Sequence, residues 1–255
     1  MTVHFVGAGP GAADLLTLRA VELLRSSPVC VYAGTYVDDE VLGHCGPDTR
    51  LVDTQHLDLD QIVDRLVAAH ADGLDAVRLC SGDPSVYSAL TEQTRRLDRA
   101  GVPWDVTPGV PAYAAAAALL GTELTVPELV QSVVLTRAQA RSTAMPESER
   151  LARFAESRAS LVLHLGIRRI RQLVEELLPS YGADCPVAVV AHATRPAELV
   201  LRGTLADIAD QVEQAGLRHT AVIMVGRALG VPGDGSCTAE SHLYSAERQR
   251  ARSDG

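Results

Sequence analysis

Three short segments of this chain carry residue types and spacings that suit ligand chemistry. The first is Gly7-Ala8-Gly9-Pro10-Gly11-Ala12, which follows one apolar run and precedes a leucine-rich one. It fits G-x-G-x-x-A, a pattern in which a glycine turn presents a helix N-terminus to a pyrophosphate. Two features oppose a dinucleotide. Pro10 lacks a backbone N–H, and the second apolar run ends Tyr32-Ala33-Gly34-Thr35, with no acid for a ribose before Asp38. A turn that merely joins strand to helix is the plainer alternative. The second segment is SGDPSVYS, Ser81 to Ser88. Gly82 permits close backbone approach. Asp83 either presents a carboxylate or, with Pro84 at the first helical position, caps a following helix. The third is TPGVPAY, Thr107 to Tyr113. Each segment ends a candidate strand, where parallel sheets place ligands, so together they describe a ligand-lined rim.

Other chemistry is poorly represented. There is no nucleophile elbow, no helix-borne metal pair and no Cys/His dyad, and the eight histidines are dispersed. No metal site is therefore expected. The five cysteines (Cys30, Cys45, Cys80, Cys185, Cys237) contain no CxxC pair and read as buried thiols of a reducing cytoplasm. All 23 basic residues are arginine, which excludes a lysine Schiff base and a P-loop lysine. The net charge of −9 argues against nonspecific nucleic-acid binding. No apolar run approaches the roughly 18 residues of a membrane span. The N-terminus lacks the basic region and long apolar stretch of a secretory signal.

The elements that must position these segments are short apolar runs alternating with amphipathic stretches. Strands are expected at Val3, Pro28, Asp75 and Val102 onward, with helices on Leu15–Leu24, around Ile62–Ala69 and on Ala112–Leu120. This alternation implies a parallel sheet with helical crossovers. Thr122–Gln131 is the candidate linker. Beyond it, strands are expected from Ser132, Ser160, Pro186, Glu198 and Thr220, with helices on Ile167–Leu178 and Leu205–Ala215. The two runs near 186–203 are close enough to pair antiparallel. Glu147 is expected to cap a helix beginning near Ser148. The fold class is α/β, with an N-terminal domain over 1–122 on a parallel sheet. A C-terminal domain over 131–230 carries a mixed sheet, and a polar tail occupies 231–255.

In this order and spacing, GAGPGAADLLTLRA, SGDPSVYS, TPGVPAYAAAAA and PVAVVAHATRPAELVLRGTL resemble the loops of the tetrapyrrole methylase family, which uses S-adenosylmethionine. The resemblance covers about 1–230. Two segments narrow it: VYAGTYVDDEVL from Val31 and LTRAQARSTAMPESERL from Leu135 resemble segments of the precorrin-4 C-11 methyltransferases of cobalamin synthesis. Thr35 and Ala140 depart from the serine and glycine usual there. Ala33 and Thr54 lack the aspartate and lysine of the uroporphyrinogen III methylases. The resemblance implies two α/β domains with the cofactor cleft between them, a homodimer, and methyl transfer to precorrin-4. It assigns Pro10, Ser81, Gly82, Asp83, Val86, Pro111, Ala112, Leu165 and Ala193 to the S-adenosylmethionine pocket, mostly through backbone groups. The implied tetrapyrrole carries many carboxylates, which arginine grips bidentately. Arg137, Arg141 and Arg195 are the candidate clamps, with Arg168, Arg169 and Arg171 either joining them or forming a solvated helix face. No general base stands out.

Overall fold

The computed structural model describes residues 1–138 and 144–230. The chain divides into two units. The first comprises Met1–Ala115 and Ala193–Pro196; the second comprises Ala116–His192 and the residues from Ala197 onward.

In the first unit five strands form one parallel sheet: β1 (Val3–Gly7), β2 (Val29–Tyr32), β3 (Arg50–Asp53), β4 (Ala76–Cys80) and β5 (Trp104–Thr107), in the order β3-β2-β4-β1-β5. Helices cover both faces. On one, Ala20 and Leu24 of α1 (Leu18–Ser26) pack with Val6, Val77 and Leu79. On the other, Val63, Leu66 and Ala69 of α3 (Leu59–Ala71) and Leu97 of α4 (Leu90–Arg99) pack with Phe5, Val29 and Val31. A short α2 (Asp39–Leu42) also contributes Val41 to the first face. Burial on both faces explains why the central strands read as continuous apolar runs. Helix α1 starts at Leu18, later than Leu15, because the Thr17 hydroxyl accepts from Ala20 N and caps it there; Ala13–Leu15 form a 3-10 turn instead. Asp58 and Gln61 close a capping box on α3.

The second unit holds β6 (Val133–Arg137), β7 (Ser160–His164), β8 (Pro186–Ala191), β9 (Leu199–Thr204) and β10 (Ala221–Val225), ordered β6-β7-β10-β8-β9. Strands β6 and β7 run parallel and every other pairing is antiparallel, including β8 with β9. Residues of α6 (Leu151–Glu156), α7 (Ile170–Tyr181) and α8 (Ile208–Gln214) pack with Leu161, Leu163, Val187, Val189 and Ile223 in its core.

The division falls inside α5 (Ala112–Leu120), not in Thr122–Gln131. That segment is tied into the second unit, where Ser160 Oγ donates to Leu124 O at 2.6 Å, and just before it Arg202 Nη2 donates to Leu120 O, the end of α5, at 2.8 Å. Glu147 does not cap α6. It lies in a 3-10 turn and pairs with Arg150 at 2.7 Å. The expected tail, with Cys237, lies outside the described residues. Among the described residues no helix is long and apolar enough to cross a membrane.

Candidate functional site

Strands β1 and β4 are neighbours, yet α1 after β1 and α4 after β4 pack on opposite faces of the sheet. Their carboxyl ends therefore mark the topological switch point, where open parallel sheets bind ligands. The loops that leave this point are Gly7–Ala12 and Ser81–Ser88, two of the segments singled out above. They are joined backbone to backbone: Gly9 N donates to Gly82 O at 3.1 Å and Gly82 N to Gly9 O at 2.8 Å.

The third loop closes against the other two through glycine. A Cβ on Gly7 would stand 2.5 Å from Gly109 Cα, and a Cβ on Gly109 would stand 2.3 Å from Gly82 O. Only bare backbone fits at this crossing. Gly82 also has φ +65°, and a Cβ there would come within 3.6 Å of Pro111 Cα and Ala112 N. Gly82, Pro111 and Ala112 are thus brought together.

Asp83 is the side chain that locks this arrangement. Its Oδ1 accepts from Ser85 N at 2.8 Å and from the Ser85 hydroxyl, while Oδ2 accepts from Gly109 N at 2.9 Å. Burial by itself would raise the carboxyl pKa. The Ser85 hydroxyl and the Gly109 and Ser85 amides outweigh burial and hold it below the ordinary value. Helix capping by Asp83 is overturned. Helix α4 begins only at Leu90, behind Ala89 in the left-handed region, and Asp83 makes a turn with Ser85 instead. Tyr87 is also left-handed, at φ +56°.

The loop carrying Ala193 belongs to this same unit. Thr194 Oγ1 accepts from Ala12 N at 3.0 Å. A Cβ on Gly11 would meet Arg195 Cγ at 2.6 Å and Ala193 O at 3.0 Å. Pro10, flanked by this contact, thereby shares a neighbourhood with Ala193. Arg195 itself donates to Tyr36 O at 2.5 Å, and its Nε lies 3.1 Å from Asp38 Oδ2. Its side chain is 14% exposed and stands beside the Asp38 carboxylate, while its buried Nε makes no hydrogen bond among the described residues. Asp53 shows that an acid does stand beside the end of β2, supplied by β3. Its carboxylate accepts from Gly34 N and Gln55 N, each at 2.9 Å, and those amides hold its pKa low.

In the second unit, Leu165 follows β7 at φ +55° and is 67% exposed. An exposed leucine in the left-handed region is strained and gains little from packing, a combination that marks contact sites. Arg137 ends β6 and lines a cavity of about 760 Å³ with Arg150, Arg169, Gln172, Met145 and Leu173. Arg150 gave no signal of its own in the sequence. Arg168 donates to Arg218 O at 2.9 Å. Arg171 pairs with Glu213 and Asp210 at 2.5 Å, and the Glu213 hydrogen bonds, then Asp210, push its guanidinium pKa above the ordinary value. Arg171 is thus neutralised in place. Arg141 lies outside the described residues.

The arrangement can hold a small polar ligand by backbone groups at one switch point and an anion by guanidinium groups at Arg137. Known proteins resemble the chain as a whole. The model of the Tetrapyrrole (Corrin/Porphyrin) Methylases matches residues 2–209. The chain is 57% identical to the precorrin-4 C(11)-methyltransferase of Rhodococcus erythropolis, over 98% of this chain and 99% of that protein. It is 51% identical to the enzyme of that name from Sinorhizobium sp, over 98% and 97%. Among solved structures, a cobalamin biosynthetic enzyme, cobalt precorrin-4 methyltransferase, matches with TM-score 0.87 and 34% identity, over 89% of this chain and 95% of that one. Uroporphyrin-III C-methyl transferase from Thermus thermophilus, complexed with S-adenyl homocysteine, matches with TM-score 0.75 and 30% identity, over 91% and 100%. The parallel sheet with its glycine-crossed switch point, the mixed second sheet and a match that runs through both identify this chain as a member of the tetrapyrrole methylase family.

Proposed function

We propose that this protein transfers a methyl group from S-adenosylmethionine to C-11 of precorrin-4, giving precorrin-5, in cobalamin biosynthesis. The observation that carries the reading is the crossing of Gly7, Gly82 and Gly109 at the switch point, stapled by Asp83. High identity to precorrin-4 C(11)-methyltransferases over nearly the whole chain supports the choice of acceptor.

The residues fit such a donor. Glycine backbone at the crossing leaves room for close approach, and an ionised Asp83 suits the neighbourhood of a sulfonium cation. When bound, the donor supplies an electrophilic methyl group whose leaving group is a neutral thioether, so no acid is required. The protein's work is to hold and align the reactants at about 3–3.5 Å and exclude water. Pro10, Ser81, Gly82, Asp83, Val86, Pro111, Ala112 and Ala193 hold the donor in this reading, and the family resemblance adds Leu165 as a donor contact. Arg137, which lines the cavity of the second unit, grips acceptor carboxylates. Arg171, held by both Glu213 and Asp210, takes no part in this reading, and Arg195 beside Asp38 is a further acceptor clamp in it. The family resemblance adds a homodimer, and the free thiols of Cys30, Cys45, Cys80 and Cys185 suit a reducing cytoplasm.

The test is to incubate the purified protein with donor labelled in its methyl group and with precorrin-4, metal-free and cobalt-loaded in parallel. The reading expects one labelled methyl group on C-11 of the metal-free acceptor, located by mass spectrometry and carbon NMR. Label on another carbon, or on no acceptor, refutes it. Label only on the cobalt-loaded acceptor reassigns the substrate.

A further inference from the structure

Strand β4 buries an arginine. Arg78 is 8% exposed and stands on the face that carries Ala76 and Cys80, beneath α3 and α4. Among the described residues its acceptors are the Gln93 side chain, from Nε at 3.0 Å, and Val31 O, from Nη1 at 3.3 Å. Burial works against its charge and lowers its pKa. Gln93, 1% exposed on α4, passes the connection on: its Nε2 donates to Ser88 O at 3.1 Å and to Ala89 O at 3.2 Å. Val31 is the last β2 residue paired with β4, opposite Arg78 itself. The network therefore runs from the end of the β2–β4 ladder to the far end of the Ser81–Ser88 loop.

Stability is a poor reason for such a network. A buried charge without an ionic partner costs desolvation, and well-packed apolar replacements for buried ionic groups are often neutral or stabilising. Its geometry does something specific. The near end of the loop is fixed by the Gly9–Gly82 bridge and by Asp83 on Gly109. At the far end two non-glycine residues lie in the left-handed region, Tyr87 in the loop and Ala89 just after it, and Gln93 grips the carbonyls of Ser88 and Ala89. Strained backbone persists where its surroundings over-determine it.

We propose that Gln93 and Arg78 are positioning residues that hold the Ser81–Ser88 loop in its donor-binding shape. This rests on the reading of that loop as part of the S-adenosylmethionine site. Two variants test it. Arg78→Met/Gln93→Met removes the charge and its partner together while conserving volume. Gln93→Glu keeps an acceptor for Arg78 but loses both donors to Ser88 O and Ala89 O. Each variant is expected to fold, with the thermal midpoint of the double variant unchanged or raised. In each, the Kd for S-adenosylhomocysteine and the KM for the donor rise about tenfold, as expected for losing roughly 1.4 kcal/mol of ordering, while the acceptor KM stays put. A purely structural network would lower the midpoint and leave affinity per folded molecule alone. Wild-type affinity for S-adenosylhomocysteine in either folded variant overturns the proposal. So does unfolding of both, because the network would then serve the fold itself. Failure of the wild-type protein to bind S-adenosylhomocysteine strikes instead at the reading of the site.

Discussion

Asp83→Asn is the substitution whose effect can be worked most closely from the geometry. The carboxylate accepts from three donors on two loops: Ser85 N and the Ser85 hydroxyl at Oδ1, and Gly109 N at Oδ2. An asparagine has one acceptor and one donor end. If its oxygen faces Ser85, its amide N–H points at the Gly109 N–H; if reversed, it points at the Ser85 N–H. Either way one charge-assisted hydrogen bond becomes a donor–donor contact. Such bonds contribute about 1.5–3 kcal/mol, and for a half-buried carboxylate the lower end applies. The Gly109 loop should then loosen from the Ser81–Ser88 loop, and the Kd for S-adenosylhomocysteine should rise roughly tenfold. Titration calorimetry at neutral pH reads this directly. Acid supplies a second signature. The folded pKa is depressed, so the carboxylate's contribution is complete above the ordinary value of about 3.9 and is lost as pH falls through the folded value. Wild-type affinity should therefore be flat around neutrality and weaken only in strong acid, whereas the variant lacks that acid limb. Unchanged affinity in the variant, or an identical acid limb in both proteins, refutes the staple.

Three further outcomes follow from the same geometry. Gly109→Ala drives a Cβ to within 2.3 Å of Gly82 O and should cost at least about 1–3 kcal/mol by denaturant unfolding, with loss of S-adenosylhomocysteine binding. Leu165→Gly removes an exposed side chain from the left-handed region; relief of about 1–2 kcal/mol of strain offsets the flexibility glycine adds to the unfolded chain. Its thermal midpoint should barely move while S-adenosylhomocysteine affinity falls, and wild-type affinity would remove Leu165 from the site. Arg137→Ala should raise the acceptor KM and leave cofactor affinity intact, whereas Arg171→Ala, already neutralised by Glu213 and Asp210, should leave the acceptor KM unchanged. Equal loss of both ligands in Arg137→Ala contradicts the clamp.

What could be read from the residues alone, and what could not, divides on physical grounds. The parallel first sheet was legible because its central strands are buried on both faces and so are continuous apolar runs. Strand β3 and helix α4 were not. RLVD in β3 is largely exposed at the sheet edge, and α4 turns Gln93 and Thr94 inward beside Leu97, which erases the apolar period. The three glycine loops were visible as candidates, but their mutual crossing depends on contacts between residues far apart in sequence. Asp83 looked like a helix cap because Asp-Pro so often begins a helix; its partner Gly109 lies 26 residues away. Arginine counting had the same weakness. Composition showed 23 positive charges and could not show that Arg171 is already matched by acids. The GAGPGA turn fitted a nucleotide fingerprint by spacing alone, and only its neighbours Gly82, Gly109 and Thr194 show how that turn is held.

The central claim is that the switch point of the parallel sheet is where the methyl donor sits. A crystal structure of the protein soaked with S-adenosylhomocysteine tests it most directly. The account predicts density for the ligand against the backbone of Gly82, Asp83, Pro111 and Ala112, with Asp83 still bonded to Gly109. Full-occupancy density elsewhere on the molecule, with these loops untouched, would contradict it.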